Sequence, residues 1–235
     1  MTRTHRPTSG LLAIALAGLA IAPAAGAVAV PELAPAPAAH QTPSPPAQDA
    51  NAQLAESRAA ALRASSVFIY GSTPVNRTRF TVRLTRDHRA HMRLLQGRKA
   101  RLQVIRIGRR SFTLGNAAWY RSAGLPAAAA RERAGKWFQV PAAAVFAELL
   151  DKQLLVGRGL VPTGAARVSG TGTLRGRPVT LFRDADENGT IAVRSSGVPY
   201  PVNVDYDAKD SGIIWFAEWG ARTTITAPER FTPLP

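Results

Sequence analysis

The chain has 235 residues, with 30 Lys and Arg against 15 Asp and Glu and a formal net charge of +15. It contains no cysteine, which excludes disulfides, thiolate metal sites, cysteine nucleophiles and lipid attachment through a cysteine. A chain of this size can form a sizeable hydrophobic core, so its stability must come from packing rather than from cross-links.

The N-terminal segment has the features of a secretory signal peptide. Arg3 and Arg6 precede an apolar run over residues 11–21, and Ala25-Gly26-Ala27 fits an A-x-A cleavage site. The run is shorter than the roughly 20 residues that cross a bilayer, so a retained membrane anchor is the weaker alternative. We therefore expect residues 1–27 to be cleaved and the protein to be exported, either secreted or held in the periplasm or cell-wall space, without a lipid anchor.

Residues 28–48 are predicted to form a disordered tether. Six prolines stand among alanines there, and no hydrophobic period offers a face to bury. The remaining residues, 49–235, fit a single domain, which we expect to be monomeric.

The first part of that domain is predicted to be a helix followed by a meander of strands. Apolar residues recur at helical spacing over residues 50–65. Phe80, Val82 and Leu84 then alternate with polar residues, which is typical of a strand with one buried face. The same period predicts strands over residues 67–70, 92–94, 102–104 and 112–114.

The middle of the domain is predicted to be helical. Alternation is lost from residue 116 to 135, where alanine-rich pieces favour short helices. A longer apolar helix is expected over residues 141–155, with Pro141 at its first position and Gly157 beyond its end. Such an insert, flanked by strands, can cover the apolar face of a sheet.

Sheet signals resume after this insert. Short loops rich in turn-forming residues separate the strands, which implies antiparallel pairing. A sheet of about ten or eleven strands curls more readily than it stays flat. The predicted fold class is therefore α+β, an antiparallel half-barrel with an N-terminal helix and a central helical insert covering its concave face. The strands in this half are predicted over residues 167–174, 178–183, 190–194, 200–206, 212–218 and 223–226.

The order of these elements resembles that of the actinobacterial LppX/LprAFG-like (LprG-type) lipoproteins, which have the LolA-like fold. The resemblance covers about residues 50–228. Its local motifs are VIRIG at 104–108, KWFQVP at 136–141, GVPYP at 197–201 and the Trp219-Gly220 pair.

This resemblance implies an apolar cavity for the acyl chains of lipids, glycolipids or lipoproteins. One departure is clear, because members of the family usually carry a lipobox cysteine where this chain has Ala25-Gly26-Ala27. Alternation of apolar residues supplies the candidate ligand-binding positions, although a filled core would show the same pattern. The candidates are Phe80, Val82, Leu84, Leu102, Val104 and Phe112 from strands, and Val145, Phe146, Leu149 and Leu150 from the insert.

The positive charge is concentrated in one part of the chain. Between residues 77 and 110, twelve Arg and Lys stand against Asp87 alone. We predict a basic surface that includes Arg79, Arg83 and Arg93. Its expected partner is an anionic membrane or wall polymer, while nucleic acid is less accessible to an exported protein. A solvated face that only aids solubility is the open alternative.

No motif predicts catalysis, a metal or a cofactor. A calcium-like loop over residues 184–189 has Ser195 where the closing glutamate should stand, so a polar hairpin is favoured. His88 and His91 are spaced to point to opposite faces of an extended segment. We predict a non-enzymatic lipid or glycolipid carrier of the cell envelope. The alternatives are a basic binding module with a filled core and an envelope regulatory or sensor domain.

Overall fold

A computed structural model of the chain describes residues 50–74, 77–141, 146–161, 164–184, 189–206 and 212–233, so the predicted signal peptide and tether lie outside the described residues. The helices are α1 Ala50–Arg63, α2 Ala117–Ser122, α3 Ala127–Arg133 and α4 Lys152–Gly159. The strands are β1 Ser66–Thr73, β2 Thr78–Thr85, β3 Arg89–Gln96, β4 Ala100–Ile107, β5 Arg110–Gly115, β6 Trp137–Pro141, β7 Ala166–Leu174, β8 Arg177–Asp184, β9 Gly189–Arg194, β10 Pro201–Tyr206, β11 Ile213–Ala217 and β12 Thr232–Pro233.

All of these strands form one open sheet, which confirms the predicted α+β fold class, with a short twelfth strand in addition. From β1, the strands β2 to β6 extend to one side as an antiparallel meander, which we call the first wing. The chain then starts again at the opposite edge with β7 and returns strand by strand until β11 pairs with β1. The strands β7 to β11 form the second wing. Only β12 runs parallel to its neighbour, β6.

The register of the first wing gives the sheet one apolar face and one polar face. Val82 on β2 lies opposite Ile69 on β1 and Met92 on β3, and all three are fully buried. Since directly opposed residues share a face, alternation within each strand builds a continuous apolar layer. We call the face that carries this layer the inner face, and the face that carries Arg79 and Arg93 the outer face.

Helical segments cover the inner face. Leu54 and Ala61 of α1 belong to the same buried cluster as Leu155 and Val156 of α4 and as the inner residues of the sheet. The two helices also contact each other, so they form one layer on this face. None of the described helices is long and apolar enough to cross a membrane.

The predicted long helix over residues 141–155 is wrong in its position. Pro141 is the last residue of strand β6, where it lies opposite Arg110, and residues 147–150 form turns. The helix begins only at Lys152, because the Asp151 carboxylate accepts hydrogen bonds from the backbone N–H groups of the next turn. Residues 142–145 lie outside the described residues. The N-cap at Asp151, and not Pro141, therefore determines where this helix begins.

The predicted strand over residues 223–226 is also wrong. Residues 221–233, which we call the C-terminal strap, cross the outer face of the first wing without joining the sheet until β12. The Arg83 side chain donates to the Thr223 hydroxyl (3.2 Å), and Arg89 donates to the Ile225 carbonyl (3.0 Å). Side chains of the strands thus hold the strap across the sheet, whereas a strand would be held by backbone pairing.

Candidate functional site

The inner face is the candidate ligand site. Its central layer comes from alternate residues of β2, β3 and β4, and each of these side chains is at most 5 % exposed. Gly71 on β1 leaves room for the Phe80 ring, because a Cβ atom at this position would lie only 2.7 Å from that ring. The layer consists of Phe80, Val82, Leu84, Ala90, Met92, Leu94, Leu102 and Val104.

Eight of the ten candidate ligand-binding residues lie at this layer. Phe146 is partly buried against it and 6.5 Å from the Trp119 ring, measured between centroids. Val145 lies outside the described residues. The structure does not separate a lining role from a packing role, so ligand binding by these residues stays a prediction. The other seven are buried members of the cluster: Phe80, Val82, Leu84, Leu102, Val104, Leu149 and Leu150.

Phe112 does not belong to the inner face, which corrects its grouping with the other candidates. It lies opposite Ile105, whereas its neighbour Thr113 lies opposite the inner residue Val104. Phe112 is fully buried because Phe231 of the strap packs edge-on against it, with ring centroids 4.9 Å apart. Alternation within one strand predicts which of its residues are buried, but it does not predict on which face of the sheet they lie.

Three buried hydroxyls in this region of the molecule have no hydrogen-bond partner among the described residues, and one of them is Thr78 on the inner side of β2. Ser111 is fully buried on the inner face, where it lies opposite Arg106, and Ser57 is a buried residue of α1. A buried hydroxyl that makes no hydrogen bond costs about 1–3 kcal/mol. These oxygens therefore offer partners to a polar group that enters the apolar layer.

A polar cluster closes one end of the inner face. The Asp151 carboxylate lies 3.6 Å from the Arg106 guanidinium and 3.9 Å from His88 Nδ1. The Lys152 amine, in a residue only 6 % exposed, donates to the carbonyls of Leu62 (3.0 Å) and Ala64. These contacts join the insert to the β2–β3 turn, to β4 and to the end of α1.

The pKa of Lys152 is shifted by its surroundings in this cluster. Burial, followed by repulsion from the Arg86 guanidinium, lowers the pKa of the Lys152 amine to about 8. Neither Lys152 nor Arg106 was singled out from the sequence. The helix-capping Asp151 next to Lys152 was the one signal that could have marked this cluster, because it fixes which helical residues face the sheet.

The outer face carries the predicted basic surface, and the structure divides it in two. Arg83 is already paired within the molecule, because it forms an ion pair with the Glu218 carboxylate at 2.8 Å. It also donates a hydrogen bond to Thr223 of the strap. Arg79 and Arg93 are exposed on the open part of the face, and no acidic side chain of the described residues pairs with either.

The metal-like patterns in the sequence do not assemble into a site in the part of the chain that the structure describes. No group of three or more His, Asp or Glu side chains there could hold a metal ion. His91 lies on β3 with a hydrogen bond to Gln103, whereas His88 lies in the turn before it. Residues 185–188 of the calcium-like segment lie outside the described residues, and the strands on either side of it, β8 and β9, pair antiparallel.

No protein-family model matches the sequence, and no protein of curated function matches it. Solved structures do match its fold. LprF from Mycobacterium bovis aligns with a TM-score of 0.58 at 14 % identity, over 78 % of this chain and 98 % of LprF. At this identity, the similarity establishes the fold, which agrees with the LppX/LprAFG-like resemblance in the sequence.

Two further structures align more loosely. The Mycobacterium tuberculosis lipoprotein LppX has a TM-score of 0.48 at 14 % identity, over 74 % of this chain and 98 % of LppX. A chain of the Pseudomonas aeruginosa MucA/MucB complex has a TM-score of 0.38 at 17 % identity, over 75 % of this chain and 59 % of that chain. Neither similarity is close enough to support a structural argument.

Proposed function

We propose that the chain is a non-enzymatic carrier of the cell envelope that holds acyl chains of a lipid or glycolipid against its inner face. The observation that carries this proposal is the continuous apolar layer between the sheet and a helical cover. The LprF-like fold and the family resemblance support the same function.

The energetics favour an acyl cargo. A buried methylene gains about 0.8 kcal/mol, so the gain from binding an acyl chain rises with the length of chain that is buried. The unpartnered hydroxyls of Ser57 and Ser111 would accept or donate a hydrogen bond to an ester, amide or sugar group of the cargo. Arg106 and Lys152 stand at one end of the layer, where a polar headgroup would meet charge.

A pair of phenylalanine substitutions tests the proposal. Val104→Phe adds volume to the inner face, whereas Ile105→Phe, on the neighbouring residue of β4, adds the same ring to the outer face. If the inner face holds cargo, Val104→Phe should reduce the binding of a fluorescent fatty acid several-fold, and the folded protein should retain its stability. Ile105→Phe should bind as the unmodified protein does.

A filled core gives the opposite result. Overpacking a closed core costs about 1–3 kcal/mol, so Val104→Phe would then lower the free energy of unfolding by that amount. If, in addition, the unmodified protein does not bind the fatty acid, the carrier function is wrong.

A further inference from the structure

We propose that the open part of the outer face binds a linear acidic polysaccharide that runs across the strands. This site lies on the opposite face of the sheet from the proposed cargo and is independent of it. It consists of three arginines, Arg79, Arg93 and Arg101, and a row of neutral polar and aromatic residues between and beside them.

The arginines form a fixed triangle on rigid strands. Arg79 and Arg101 lie opposite Leu95 from its two sides, two strands apart, while Arg93 lies on the strand between them. Strand spacing and rise place the three Cα atoms about 8–10 Å from one another. All three side chains are exposed, and none pairs with an acidic side chain of the described residues.

A row of hydrogen-bonding side chains passes through this triangle. Pairing across four strand boundaries aligns Trp215, Tyr70, Thr81, Arg93 and Gln103 on β11, β1, β2, β3 and β4. The row is about 20 Å long at the usual strand spacing. The hydroxyl and amide groups of the row can hydrogen-bond to the hydroxyls of sugars. The three arginines of the triangle can bind the carboxylates of an acidic sugar chain.

The aromatic end of the row is rigid. The Tyr70 and Trp215 rings are stacked with an interplanar angle of 8°, and the Arg175 guanidinium lies 4.2 Å from the Trp215 centroid and 5.1 Å from that of Tyr70. Because this stack is already formed, Arg175 loses little side-chain freedom when an anion binds, so it provides a fourth positioned cation.

Charge complementarity identifies the partner as an anion, and the side chains favour a polysaccharide over other anions. A membrane surface would require protruding apolar side chains beside the cations, whereas Leu95, which lies between Arg79 and Arg101, is half-buried, as are Tyr70 and Trp215. Bases of a single-stranded nucleic acid would need open ring faces, but these rings stack on each other and under Arg175. A hydroxylated polyanion meets neither obstacle.

Binding of polygalacturonate by the full chain tests this site, with fully methyl-esterified polygalacturonate as an uncharged control of the same backbone. The triple variant Arg79→Gln/Arg93→Gln/Arg101→Gln should bind polygalacturonate about ten-fold or more weakly and show a shallower salt dependence. A matched variant, Arg131→Gln/Arg158→Gln/Arg167→Gln, removes the same charge from exposed positions elsewhere and should change affinity less than about two-fold.

The row itself is tested by Gln103→Ala, which should weaken polygalacturonate binding without changing the binding of polyphosphate, a polyanion without sugar hydroxyls. Circular dichroism should show that all variants fold. Equal losses in both triple variants would overturn the proposal in favour of unspecific attraction. Tighter binding of phosphatidylglycerol vesicles or of a short oligothymidine would overturn it in favour of a membrane or a nucleic acid.

Discussion

The two wings of the sheet are built differently although they share one hydrogen-bonded layer. Along β2, β3 and β4 of the first wing, most inner residues are apolar and most outer residues are polar or basic; the exceptions include Arg106 on the inner face and Leu95, Ile105 and Ile107 on the outer face. In the second wing, inner residues of β8 to β11 belong to the same main cluster, but β7 is largely exposed on both faces, and a separate small cluster is formed by Val179, Ala192 and Val202. The first wing thus carries the basic outer face and half of the inner apolar layer, while the second wing continues that layer and ends in an exposed edge strand.

The two wings also differ in their content of charged residues. Residues 66–141, which contain the first wing, carry sixteen Lys and Arg against two Asp and Glu, whereas residues 166–217 carry six against six. The edges differ as well, since β12 covers part of β6 but nothing in the described residues pairs with the far side of β7. Binding chemistry is therefore expected on the first wing.

A leucine-to-alanine substitution in each wing should give the largest difference between the wings in the free energy of unfolding that is lost. Leu94→Ala removes a 5 % exposed side chain from the inner layer of the first wing and should lower the free energy of unfolding by about 2–5 kcal/mol. Leu174→Ala changes a half-buried residue at the end of the largely exposed edge strand β7 and should cost about 1 kcal/mol or less. Urea denaturation measures both. Equal losses would mean that the second wing is packed as tightly as the first.

Lys152, which ties the insert to α1 at the end of the first wing, should make stability depend on pH. Its folded pKa of about 8 lies below the ordinary value of 10.5, so the unfolded chain binds more protons between these values and stability rises with pH there. The difference in unfolding free energy between the unmodified protein and Lys152→Met should increase by up to about 3 kcal/mol from pH 8 to 10.5.

Urea denaturation at successive pH values measures this difference, with Lys99→Met as the control. The Lys99 amine is exposed in the β3–β4 turn, so its removal should not reproduce the rise. A constant difference for Lys152→Met would show that its amine is not buried in solution.

The smallest expected effect concerns the boundary between the wings. Arg175→Ala removes the cation stacked on Trp215 and Tyr70 and should cost about 0.5–1 kcal/mol in unfolding free energy. Arg177→Ala, an exposed residue next to the same turn, should cost less. No loss in either variant would mean that the stack is not maintained in solution, which would also weaken the case for a pre-positioned fourth cation.

The strands of both wings were predictable from sequence because their period is local, and those of the second wing were predicted to within one residue at each end. Clean alternation around Phe80, Val82 and Leu84 predicted both the strand and its buried side, and the observed burial follows it. Alanine-rich pieces likewise predicted α2 and α3. These features depend on neighbours along the chain, which a sequence displays directly.

What could not be predicted depends on contacts between distant residues. Phe112 has the right alternation but lies on the other face, because the β4–β5 register and Phe231 of the strap decide its surroundings. Arg83 appeared to be a free surface cation, yet Glu218 binds it from across the molecule. The buried setting of Lys152 depends on where α1 ends. None of these pairings leaves a local pattern.

The most direct measurement of the carrier function is native mass spectrometry of the protein purified under mild conditions from its own cells. The account predicts a species heavier than the polypeptide, with the extra mass extractable into organic solvent and identifiable as a lipid or glycolipid. It also predicts that Val104→Phe loses this mass and Ile105→Phe keeps it. A single species at the mass of the polypeptide alone, from a protein shown to be folded, would contradict the account.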